Sequence, residues 1–454
     1  MCFVSIKFVI LLPPVYGFIL TSLFGLNTPV YDDWHTVLDF LGNVSKNGLS
    51  FNNLFAQNND SRYLFPKLVW LLLEAPFHVN MKVYMYFEWC LITLAYLAVI
   101  FYVSREEKLK TEKQRIFLYL LLGFVFFNVF QWDADALLEA ASVNWFLKHL
   151  FIVLGFLCFH CGYNRSKIKY FVCSGLSFII ASYSHLSGTF WLPVILIVFF
   201  LLLLSKEKIQ KTWVLWTGIS SAVIYPLYFY NYHKFDIHTD YHYAPISNTI
   251  SYFFAGLGSP LIPRHFLPKA TLIRALIIGL IVFIVSIVLI VHLIKHKRIQ
   301  DNIFPICLIF YGFVFCTSTA LGRVGFGVGS ALTTRYVVNV LLTIIGIVLV
   351  VYNEILNSES AGPIAKNISK YGIFALFLLC FSVNTDWSIP QNVYNQRKNM
   401  QNILRDYHNQ PLESLQTFFP WWGDLETART TIEIAEKNGW SVFYKSQTLS
   451  NGAF

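Results

Sequence analysis

At 454 residues the chain has the length of about three soluble domains, yet 56% of it is hydrophobic and only 13% is charged. A soluble domain carries about a quarter charged residues, and here apolar runs long enough to span a bilayer, about 20 residues, recur along most of the sequence. That excludes a string of soluble domains. The net charge of +9 is not a nucleic-acid footprint, because the Lys and Arg sit in short loops between apolar runs, where they set orientation in a membrane. All 8 cysteines except Cys2 lie in or at the ends of apolar runs, so no disulfide framework is implied. The lone CxxC of Cys158 and Cys161 lacks a second ligand pair for zinc.

In chain order, the first span covers about 3–26. It is too long for the apolar core of a cleaved signal and lacks a basic start and a small-residue cleavage site. A large polar loop, 27–79, follows; within it Tyr63 to Phe77 reads as a helix lying along the interface. Spans are expected at about 80–104, 116–133, 143–162, 170–185, 189–204 and 213–230. A polar loop to Asn248 leads to a semi-apolar segment broken at Gly256, Gly258, Pro260 and Pro263, which reads as re-entrant or interfacial. Further spans fall at about 271–294, 303–321, 336–352 and 371–385. The fold class is thus an all-α polytopic membrane protein of about eleven spans over 1–385, with a polar, helical tail at 386–454. Alternate loops are basic, from Arg105–Arg115 onward, and the others carry Asp32, Asp33, Asp60, Asp133, Asp135, Asp236 and Asp240. The positive-inside rule then puts the N-terminus in the cytoplasm and the tail outside.

The chemistry gathers in the non-cytoplasmic loops. Tyr31-Asp32-Asp33-Trp34 places two adjacent carboxylates just beyond a span end, where a low-dielectric boundary can raise a carboxyl pKa to a value useful for a general base. A helix cap with Trp34 as interfacial anchor accounts for the same residues. Neighbouring carboxylates point apart and resist joint ionisation, so one base is expected, with Asp33 preferred and Asp32 orienting. Arg62 could pair with an anionic headgroup or with the Asp pair, or simply snorkel. Arg323 and Arg335-Tyr336 bracket a glycine-rich loop, Gly325 to Gly329. Two guanidiniums at headgroup depth suit a phosphate, and they also mark span ends. His185 sits in a tight turn before Ser187-Gly188, facing the same cavity or capping the turn. His233, Asp236, His238, Asp240 and His242 crowd one loop and are the weak candidates for a metal; a polar loop of this kind is more often solvated, and no metal or other cofactor is expected. Asn43 and Asn59 open Asn-x-Ser sequons.

These pieces, in this order, resemble bacterial membrane glycosyltransferases of the GT-C class, such as O-antigen-modifying or mannosyltransferase-like enzymes. The resemblance rests on Tyr31-Asp32-Asp33-Trp34, the Asn59 to Pro66 stretch, Gln131-Trp132, Asn144-Trp145-Phe146, Ser187-Gly188-x-x-Trp191-x-Pro193, Gly322-Arg323, Ala331 to Tyr336, and the closing Glu436 to Phe443. It covers nearly the full length. The chain departs from the usual Asn-Glu-His-Arg in having Asn59-Asp60-Ser61-Arg62. The class implies a polyprenyl-phosphate-linked sugar donor, a glycan or lipid acceptor and inversion at the anomeric carbon, in cell-envelope or lipopolysaccharide synthesis. An outer Asp would take the acceptor proton and Arg323 and Arg335 would hold the departing phosphate; Arg62, His185 and Tyr336 are substrate-binding candidates. Two other readings use the same residues. An O-antigen ligase or polymerase usually leans on a large late outer loop, whereas the acidic motif here comes early. A lipid or glycan transporter should carry mid-span ionisable residues and internal repeats, and few such charges and no repeat are found.

Overall fold

A computed structural model describes residues 6–105, 111–133, 136–233, 244–263, 268–356, 362–411 and 425–444. The described chain is almost wholly helical. Eight helical segments are long and apolar enough to cross a membrane: Met81–Arg105, Glu112–Gln131, Ala140–Arg165, Leu186–Leu204, Lys269–Lys295, Gln300–Phe326, Thr334–Leu356 and Pro363–Arg405. The last joins the apolar helix Pro363–Asn384 to the polar helix Ser388–Arg405. Three further helices answer to expected spans without meeting that length and hydropathy. Helix α1 (Ile6–Phe24) is apolar over Phe8–Phe24, α8 (Ile168–Ser182) is apolar but has only 15 residues, and α10 (Lys211–Phe229) is diluted by Ser, Thr and Gly.

Burial follows position in the bundle. Helix α7 (Val143–Arg165) packs on α5 (Met81–Arg105) and α8, and α13 (Ile303–Arg323) packs on α14 (Val337–Val351), whose every residue is buried. At the rim, α12 (Pro268–Lys295) turns Ile273, Ile277, Ile281, Ile284 and Val288 outward. An apolar outer face over a packed interior is what a lipid solvent selects, since lipid gives backbone polar groups no partner and side chains no penalty. The segment expected to be broken forms α11 (Ile246–Gly258), whose 13 residues are too short to cross, and a 3-10 turn at Ser259–Leu261. It rides on α12 through paired glycines: a Cβ on Gly258 would lie 2.0 Å from the Ala275 carbonyl oxygen, and one on Gly279 would lie 1.8 Å from that of Phe254.

The two ends of the bundle differ. At one, Arg298 pairs with Glu354 at 3.1 Å, and Glu207 accepts the amides of Ile299 and Gln300. At the other, the loop 27–79 folds into short helices α2 (Asp39–Asn47) and α3 (Phe51–Phe55), a two-stranded hairpin of β1 (Gln57–Asn58) and β2 (Ser61–Arg62), and α4 (Leu64–Phe77). The tail packs here too, through α16 (Ser388–Arg405) and α17 (Leu425–Lys437). Ser441 donates its amide to the His78 carbonyl at 3.1 Å, and its hydroxyl lies 3.2 Å from the Asn27 side-chain oxygen.

Candidate functional site

The loop 27–79, the turn before α9 (Trp191–Leu204) and the segment joining α13 to α14 enclose a cleft of about 270 Å³. Its construction begins at Tyr31, whose φ of 35° is left-handed backbone; a non-glycine residue there costs about 1–3 kcal/mol and marks functional turns. A π-helical stretch, Asp33–Leu38, follows directly; such stretches recur at functional sites. Together they send two adjacent carboxylates in different directions.

Asp32 lines the cleft. Its amide donates to Glu139 Oε1 at 3.0 Å, His35 Nε2 lies 3.0 Å from its Oδ1, and Arg335 Nη1 lies 3.6 Å from its Oδ2. Burial pushes its carboxyl up, but the His35 hydrogen bond and the charges of Arg335 and Arg323 outweigh this and hold it below the ordinary carboxylate value. Asp33 is buried away from the cleft and accepts the amides of Val30 and Ala141, each at 2.9 Å. Burial pushes its pKa up to about 6, opposed by Arg397 and those two amides. The sequence alone favours Asp33 as the base; the structure places Asp32 and not Asp33 on the cleft, because the Tyr31 turn gives the open position to its neighbour.

The hairpin turn sets a second acid in the cleft. Asn59 takes φ 49° between β1 and β2, and Asp60 beside it lies 3.8 Å from Arg323 Nη2. Arg323 and Arg335 thus reach one cleft from the two ends of one loop, each about a third exposed and each facing a carboxylate. Between them, Thr334 donates its hydroxyl to Asp133 at 2.7 Å, which pins the loop to the α6 (Glu112–Phe126) end. Of the loop's glycines, Gly322 borders the cleft and Gly327 takes φ 89° to turn the chain.

Tyr336 lines the cleft, its ring 6.3 Å from Trp145. His185 lines it as well, its ring 3.9 Å from Trp145 and 6.3 Å from Tyr63. Arg62 does not. It is buried, donates to the carbonyls of Tyr228 and Phe55 at 2.7 and 2.8 Å and to that of Tyr230, and stands 4.6 Å over the Phe55 ring. Lys67 alongside donates to Asn53 and Ala56 carbonyls. Burial, then Arg62, push its pKa down to about 8. Both cations staple the loop to itself, and Arg62 also ties it to the end of α10. His233 is exposed and its amide donates to Gln57 at 3.1 Å; Asp236, His238, Asp240 and His242 lie outside the described residues, as does Asp135. Among the described residues no group of His, Cys, Asp and Glu is placed to hold a metal.

Two features of this end escape a reading by loops. Lys148, fully buried in α7, donates to Asn339 on α14 and lies 4.7 Å from the Trp145 ring centroid, just behind the cleft wall. Beneath the Asp32 turn, Arg397 of α16 is buried, donates to the Thr28 carbonyl at 3.3 Å, and faces the fields of Asp33, Glu139 and Glu88. Lys148 and Glu88 both fall inside expected spans, and a charge mid-span is the signal that finds them. Arg397 sits in a polar tail, where one Arg among many carries no signal.

The fold and site define a multi-pass helical protein with an acid-and-arginine cleft at one end of its bundle. No family model, no curated protein and no solved structure matches the chain.

Proposed function

We propose that the protein is a membrane glycosyltransferase, resembling the GT-C class, that moves a sugar from a polyprenyl-phosphate-linked donor to a glycan or lipid acceptor at the outer face of the cytoplasmic membrane. The carrying observation is that Asp32 with Arg335 and Asp60 with Arg323 line one cleft. On this reading α1, α8 and α10 complete a set of eleven spans, the N-terminus is cytoplasmic, and the cleft and tail lie outside.

The acceptor hydroxyl oxygen forms a bond to the anomeric carbon from the face opposite the phosphate. The carbon–oxygen bond to the phosphate breaks, its electron pair leaves with the polyprenyl phosphate, and the hydroxyl proton passes to Asp32. Each guanidinium lies within ion-pair reach of an Asp. A donor phosphate competes for both, and as Arg335 turns to it Asp32 keeps the His35 hydrogen bond but loses one of the charges that hold its pKa down and becomes the stronger base. Arg323 and Arg335 stabilise the phosphate as its charge grows in the transition state. The test is sugar transfer by wild-type and Asp32→Asn membranes at matched expression. Loss of transfer with normal protein level supports the reading, and wild-type rates in the variant remove Asp32 from the chemistry.

A further inference from the structure

The turn that carries His185 fixes which ring nitrogen holds the proton. His185 caps the 3-10 turn Leu186–Phe190: the Ser187 backbone amide donates to His185 Nδ1 at 3.1 Å, and the Ser187 hydroxyl lies 2.9 Å from the same nitrogen. An amide N–H can only donate, so Nδ1 must offer its lone pair, and a neutral imidazole then carries its proton on Nε2. Among the described residues Nε2 makes no hydrogen bond, and the ring borders the cleft. We propose that His185 is a permanently neutral hydrogen-bond donor, whose Nε2–H binds a phosphate oxygen of the substrate alongside Arg323 and Arg335 and never acts as a base or an acid. This role rests on the glycosyltransferase reading for its phosphate, whereas the tautomer does not.

The surroundings agree on neutrality. Burial, then Lys148 from α7, Arg323 from α13 and Arg335 from the loop before α14, hold the imidazole pKa well below its usual value. Asp32 and Asp60 also face the cleft, but each lies within ion-pair reach of one of those arginines. Tyr63, Tyr232 and Tyr336 are the remaining titratable side chains of the wall, and burial pushes Tyr63 and Tyr232 up from the ordinary tyrosine value. A bound phosphate would draw a proton toward the ring, yet protonating Nδ1 would set its N–H against the Ser187 amide. The ring is also held in plane. Trp145 lies 3.9 Å away at 38°, itself backed by the buried Lys148, and Tyr63 lies 6.3 Å away at 23°. Two guanidiniums neutralise a phosphate; a neutral donor adds direction without adding a third charge to a site already rich in cations.

The test uses purified full-length protein and equilibrium binding of a polyprenyl monophosphate from pH 5.5 to 8.5, with inorganic phosphate as a second probe. His185→Asn keeps the turn cap but cannot reach the Nε2 position, and His185→Gln places an amide donor near it. A hydrogen bond to a charged group is worth about 10- to 100-fold in affinity. His185→Asn and His185→Ala should lose about that much, His185→Gln should stay within about threefold of wild type, and the ratios to wild type should not change with pH. Gln binding as weakly as Ala, or a wild-type advantage that grows as pH falls, overturns the donor role. The same ranking with inorganic phosphate assigns the contact to the phosphate itself; a ranking seen only with the lipid assigns it to a phosphate delivered by a seated tail. Nitrogen-15 spectra of histidine-labelled protein read the tautomer without any substrate, and a proton on Nδ1 at pH 7 overturns the inference outright. Wild type binding no polyprenyl phosphate defeats the glycosyltransferase reading and the phosphate role together, whereas wild type and all three variants binding equally defeats only the donor role.

Discussion

Asp32 and Asp33 are neighbours in the chain and belong to different environments. Asp32 is about a third exposed in a cleft with two arginines, while Asp33 is sealed in a chamber with Glu139, Glu88 and the tail's Arg397. The cleft side is built to exchange partners, since its ion pairs are 3.6 and 3.8 Å long and half-open. The chamber is built to stay shut. Its carboxylate is tied by two backbone amides, and its cation is held by a carbonyl 369 positions away in the chain. On the proposed reading the two acids of one motif divide the work, Asp32 for chemistry and Asp33 for holding the turn that aims it.

Substitutions at the two acids and their partners should have unequal effects. Asp32→Asn should lower sugar transfer by about 10²–10⁴-fold, the value of a positioned base, with only a small fall in the melting temperature of the detergent-solubilised protein at neutral pH. Arg397→Met leaves three buried acids without their cation; removing one partner of a buried charge set costs about 3–5 kcal/mol. It should lower the melting temperature and expose the tail to added protease. Arg335→Lys and Arg323→Lys should each lower transfer by about 10-fold, because an ammonium cannot reproduce a two-pronged phosphate contact; turnover of a lipid-phosphate donor measures this. Asp33→Asn turns an amide donor toward Val30 or Ala141 and should cost about 1–3 kcal/mol of stability, with transfer per folded molecule nearly kept.

The two acids should also differ in sign against pH. Asp33 has a raised pKa, so its share of stability is present below about pH 4 and is lost as pH rises toward 6. Asp32 has a lowered pKa, so its share is present above about pH 4 and is lost as pH falls below it. Melting curves across pH 3–7 for each Asn variant separate the two. The smallest effect is expected from a chelator: EDTA should leave transfer unchanged, and loss restored by a divalent ion would bring the His233 loop into the site.

Much of the cleft was legible in the sequence. Asp32, His185, Arg323, Arg335 and Tyr336 were visible because polar residues at the ends of apolar runs stand out against the membrane background. Their convergence follows from the bundle, since span ends on one side must meet. Arg62 misled because an Arg at the start of an interfacial helix looks the same whether it faces a ligand or its own carbonyls. The choice between Asp32 and Asp33 depended on one left-handed residue at Tyr31 and a π-helical turn, neither of which has a periodic signature. The helical fold was legible from the apolar runs alone. Among the described residues eight helical segments meet a strict length and hydropathy, while α8 falls short through brevity and α10 through its polar residues.

The most direct measurement is the pool of polyprenyl-linked sugars extracted from cells expressing wild type, Asp32→Asn, Asp33→Asn or no protein. One sugar-bearing polyprenyl phosphate should accumulate without the protein and with Asp32→Asn, and be drained by wild type and by folded Asp33→Asn. Identical pools in all four would contradict the glycosyltransferase reading.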